Sequence, residues 1–89
     1  MFAKELIISK NGEIFVTHEL PKATRVISEN KRSTVLILPA WDADRLHQFL
    51  MMLDYDSEVL QVSEQESKLV LIAFNANKYS LEISLRVIP

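Results

Sequence analysis

PAWDADRLHQFLMMLDYD, residues 39–56, is the only stretch of this chain with a helical rather than a strand period. On a wheel of about 100° per residue, Ala43, Leu46, Phe49, Leu50 and Leu53 fall within an arc of about 120°, wide enough to face a core. Trp41 and Met52 fall almost opposite, about 20° apart, with Arg45 and Gln48 between them along the axis. A monomer gains nothing by leaving Trp and Met in water. Either a sheet that curves round the helix covers them, or a partner does.

Everything outside this helix reads as strands. Apolar segments 5–9 and 13–18 flank Asn11-Gly12, a dipeptide suited to a two-residue hairpin turn with positive φ. An unbroken register would set Ile8 opposite Phe15 and Ile7 opposite Val16. After the break at Leu20-Pro21-Lys22, segments 24–29 and 33–38 read as strands around Asn30-Lys31-Arg32. The second, with TVLIL at 34–38, is apolar on both sides, as a central strand is. Pro39 then opens the helix, and Asp42 and Asp44 oppose the positive end of its dipole. Beyond the helix come segments 58–63, 68–74 and 79–88. The middle one is apolar on both faces. The last alternates, with Tyr79, Leu81, Ile83, Leu85 and Val87 on one face and Ser80, Glu82, Ser84 and Arg86 on the other. The polar links 64–67 and 75–78 are short, which predicts an antiparallel meander of these three.

The expected fold is therefore α+β: a single domain over residues 1–89, two layers, a mostly antiparallel sheet with one helix, in the order β-β-β-β-α-β-β-β. One helix cannot cover both faces of seven strands. Either the sheet wraps the helix, or an open sheet meets a second copy on its bare face. A chain of 89 residues has a small core, and association would help it.

Composition removes several function classes. There is no cysteine, which excludes thiolate zinc sites, disulfides and thiol catalysis. The single glycine belongs to the hairpin, so no glycine-rich phosphate loop is present. Charged residues precede any long apolar run at the N-terminus, unlike a signal peptide, and no apolar run approaches membrane-spanning length. A cytoplasmic protein is expected. His18 and His47 are the only histidines, and neither accompanies a nucleophile motif. Asp44 and His47 could begin a metal site, but nothing supplies further ligands, and no metal or cofactor is expected.

Charge is uneven. Residues 42–66 carry Arg45 against Asp42, Asp44, Asp54, Asp56, Glu58, Glu64 and Glu66. Lys22, Arg25, Lys31 and Arg32 crowd a short basic stretch opposed by Glu29. Trp, Met and Arg are interface residues by composition. The sequence thus favours a non-catalytic protein-interaction module, a small adaptor or inhibitor, homodimeric, that engages a basic partner through its acidic segment. Its expected interface is Trp41, Arg45, Gln48, Met52, Asp42 and Asp44. The alternative is a single-stranded nucleic-acid-binding protein that uses Lys22, Arg25, Lys31 and Arg32, although no aromatic lies within 22–32 to stack on bases.

Overall fold

The computed structural model describes residues 3–10, 12–29, 33–72 and 81–88. They form strands β1 (Ala3–Lys10), β2 (Glu13–Leu20), β3 (Arg25–Glu29) and β4 (Ser33–Pro39), helix α1 (Ala40–Met52), then β5 (Ser57–Gln61), β6 (Glu66–Ile72) and β7 (Leu81–Ile88). The expected class and element order are both present. The strands form two antiparallel sheets, one of order β2-β1-β7 and one of order β3-β4-β6-β5.

The first hairpin closes where Asn11-Gly12 predicts, with Lys10 opposite Glu13 and Gly12 at φ 81°; Asn11 itself lies outside the described residues. The register does not continue unbroken. Ile8 pairs with Val16 and Ile7 with Thr17, because a bulge leaves Phe15 as an extra residue. The reason is the side-chain period of two. An unbroken register would have put Thr17 and Glu19 on the core side beside Leu6 and Ile8. The bulge flips the strand, so Val16, His18 and Leu20 take that side.

The expected meander of the last three strands is corrected too. β5 and β6 pair as expected, but β7 pairs with β1. β6 already has β4 on one edge and β5 on the other, so no edge is left for β7. The β1–β2 hairpin, marginal as two strands, gains its third. The link 75–78, with Phe74, Tyr79 and Ser80, lies outside the described residues.

β4 and β6 are central in their sheet, as their two-sided apolar character requires. Their buried faces carry Thr34, Leu36 and Leu38, and Ser67, Leu69 and Leu71. Helix α1 packs on this face against β4, β5 and β6. Leu6, Ile8 and Leu20 of the three-stranded sheet join the same core. The helix and the smaller sheet thus lie over one face of the larger sheet.

The helix is shorter than residues 39–56. Pro39 ends β4 and stands at the helix N-cap without a side-chain cap. The Ala40 N–H donates instead to the Gln65 carbonyl, at 3.0 Å. At the other end Asp54 enters the left-handed region at φ 54°. The Asp54 N–H then donates to Met51 and the Tyr55 N–H to Leu50, the paired bonds of a Schellman ending. Tyr55 and Leu50 are both in the core, the apolar contact that accompanies this motif. Ala43, Leu46 and Leu50 are fully buried, with Phe49 and Leu53 packed at the margin.

Candidate functional site

β2 is the outer strand of its sheet, and its residues Thr17–Leu20, followed by Pro21 and Lys22, run beside the first half of α1. Between them opens a cleft of about 630 Å³, closed on the other side by Leu38, Asp42, Arg45 and Leu46. The local chemistry explains its shape. Pro21 cannot extend the ladder, so the chain leaves the sheet there, and the Thr24 N–H donates to the Pro21 carbonyl to close the turn. Lys4 donates to the Thr24 carbonyl at 2.5 Å and pins this connection to β1.

The cleft has an apolar floor, Leu20, Leu38 and Leu46, all nearly inaccessible to water. Its rim mixes charges: Glu19 and Asp42 against Lys22 and Arg45. His18 donates from Nδ1 to the Glu19 carbonyl, at 2.9 Å. Its ring meets Phe49 at 5.4 Å between centroids, so the histidine ties the strand to the helix.

Residues that the sequence placed in separate groups meet here. Asp42 and Arg45 come from the expected protein interface, Lys22 from the basic stretch, and the strand edge 17–20 from neither. Beyond the cleft's helical rim lies the stripe. Trp41 is 71% exposed and Met52 84%, with Arg45 and Gln48 also in water. A sheet wrapping the helix would have buried them; here the helix keeps one face open.

The acidic segment does not form one patch. Asp42 and Asp44 stand at the helix N-terminus, near the 62–65 turn through the Ala40–Gln65 bond. Asp54, Asp56 and Glu58 lie past its C-terminus, about 20 Å away along a 13-residue helix. The basic stretch is divided as well. Arg25 spends its charge on Glu66 at 3.2 Å, on a different face from Lys22. Lys31 and Arg32 lie outside the described residues.

One polar pair was not legible in the sequence. His47 Nδ1 and Ser57 Oγ are hydrogen-bonded at 2.5 Å. A serine–histidine contact invites comparison with a nucleophile and its base. Neither residue lines the cleft, and no carboxylate orients the ring among the described residues. As placed, the pair joins α1 to the first residue of β5. Among the described residues no group of three carboxylates or histidines could hold a metal ion. No described helix is long and apolar enough to cross a membrane.

No protein-family model matches the chain, and no curated protein or solved structure matches it.

Proposed function

We propose that this chain is a non-catalytic, cytoplasmic protein-interaction module that receives an extended segment of its partner in the cleft between β2 and α1. One observation carries the reading. Among the described residues the outer edge of β2 has no strand partner and runs alongside a helix, with a leucine floor between them and charged side chains at the rim. An extended peptide can add to such an edge by main-chain hydrogen bonds and read its side chains against the helix. Asp42 and Glu19 on the rim offer carboxylates to a basic residue in that segment. This keeps the basic partner expected from the acidic segment and moves its contact to the N-terminal half of α1. The module also self-associates, as its small core and its uncovered apolar surface favour.

The test is selection of binders from random displayed peptides, followed by titration of the isotopically labelled protein. Extended sequences with a Lys or Arg should be enriched, and their amide shift changes should map to residues 17–22 and 41–46. Glu19→Lys together with Asp42→Lys should weaken binding at least tenfold. Enriched peptides that shift only residues remote from the cleft would contradict the proposal. Single-stranded DNA provides the competing arm. Steeply salt-dependent binding to it that is lost in Lys22→Glu would favour the nucleic-acid reading instead.

A further inference from the structure

The larger sheet has a second face, turned away from the helix. Pairing registers place on it Arg25 and Ser28 of β3, Val35 and Ile37 of β4, Glu66, Lys68, Val70 and Ile72 of β6, and Glu58 and Leu60 of β5. No described element covers it. Val35, Ile37 and Val70 are half-buried by their neighbours, while Leu60 remains 40% and Ile72 45% exposed. A band of aliphatic side chains therefore crosses three strands in water. Its charges are balanced, since Arg25 and Lys68 stand against Glu58 and Glu66, so the face does not repel a copy of itself. Arg25 reaches over β4 to Glu66 and neutralises it. Lys68 and Glu58 make no ion pair among the described residues. They are diagonal neighbours, Glu58 beside Val70 and Lys68 beside Leu60.

We propose that this face is the contact between two copies of the chain, related by a two-fold axis that runs across the strands. The inference rests on the self-association read above and not on the cleft. Such an axis, placed between the Ile37/Lys68 row and the Val35/Val70 row, preserves strand position and exchanges the rows. Ile37 of each copy then packs on Val35 of the other, and Lys68 of each copy comes next to Glu58 of the other. The two charges left unpaired within one copy are satisfied twice in the pair. The aliphatic band is covered at the spacing of packed sheets, about 10 Å. The cleft lies on the far side of the sheet and stays open in both copies.

Charge exchange tests this directly, because Lys68 and Glu58 are at the surface and their substitution leaves the core intact. In sedimentation equilibrium, Lys68→Glu and Glu58→Lys should each weaken self-association at least tenfold. Mixed in equal amounts, the two variants should recover wild-type association or exceed it, since one then presents only acids and the other only bases. The double exchange K68E/E58K should recover it within a single chain. A wild-type dimer indifferent to both single changes would overturn this face while leaving self-association standing. A wild-type mass of 10.2 kDa at every concentration would overturn both. Val70→Asp provides an independent arm: it should abolish the dimer, and a dimer of wild-type strength in that variant would also refute the contact.

Discussion

The outer faces of the two sheets are built from the same kind of strand and end differently. On the three-stranded sheet the outward positions are Ala3, Glu5, Ile7 and Ser9 of β1, Ile14, Thr17 and Glu19 of β2, and Glu82, Ser84, Arg86 and Ile88 of β7. Beside the hairpin turn Ile14, opposite Ser9, is 58% exposed, while Ile7, mid-strand, is only 8% exposed. Polar neighbours and the Glu5–Arg86 ion pair at 3.0 Å shelter it. On the four-stranded sheet the outward positions include Val35, Ile37, Leu60, Val70 and Ile72 beside the charged Arg25, Glu58, Glu66 and Lys68. The middle of the first face is polar around one buried isoleucine. The second keeps a partly exposed apolar band across its strands, the contact proposed above for a second copy.

The sharpest way to probe this difference is within one strand, since Leu36 and Val35 are adjacent in β4 and point to opposite faces. Leu36→Ala should cost about 2–5 kcal/mol in urea unfolding, from transfer and cavity terms. Val35→Ala should cost only about 1 kcal/mol in the monomer and should weaken the dimer. Equal losses would break the distinction between the two faces. Such melts must be run at several protein concentrations, because a dimer's apparent stability varies with concentration.

Tyr55, under the same core, gives a pH test. Burial pushes its phenol from the ordinary 10.0 up to about 12, and the neighbouring Asp56 carboxylate adds to the effect. The folded chain holds this proton where the unfolded chain has released it. The resulting stability is complete below pH 10 and is lost as pH rises toward 12, by at most about 1.4 kcal/mol per pH unit. Absorbance titration should show one phenol that ionises late, and Tyr55→Phe should remove it. A Tyr55 that ionises normally in the folded state would contradict its burial.

Two smaller effects concern the polar surfaces. Trp41→Ala and Met52→Glu should each change monomer unfolding by no more than about 1 kcal/mol, since both side chains stand in water. Losses of several kcal/mol would mean that the stripe is covered. Arg86→Ala should cost about 0.5 kcal/mol on the outer face of the three-stranded sheet, and less at high salt. A loss insensitive to salt would assign Arg86 a packing role.

Much of the fold could be read from the residues because it rests on local rules. The Asn-Gly turn, the apolar stripe of α1 and the two-sided apolar strands β4 and β6 all declare themselves within a few positions. What failed was non-local. The bulge at Phe15 answers a demand from the far side of the core for Val16, His18 and Leu20. β7 was assigned to its sequence neighbours because nothing in residues 81–88 says that both edges of β6 are taken. The site followed the same division. The wheel sets Trp41 and Met52 apart from the core stripe but leaves open whether a curved sheet covers them. The cleft was not legible, since it brings together residues 17–22 and 38–46 through tertiary packing alone. The apolar character of TVLIL held a clue to the outer face, because a strand apolar on both sides needs cover on both.

Methyl spectra of the protein, labelled at Ile, Leu and Val and recorded across a dilution series, test the central contrast most directly. Val35, Ile37, Leu60, Val70 and Ile72 should shift together as concentration rises, while Ile7, on the other sheet's outer face, stays fixed. Methyls that do not move at any concentration, or that move only at Ile7 and its neighbours, would contradict the account.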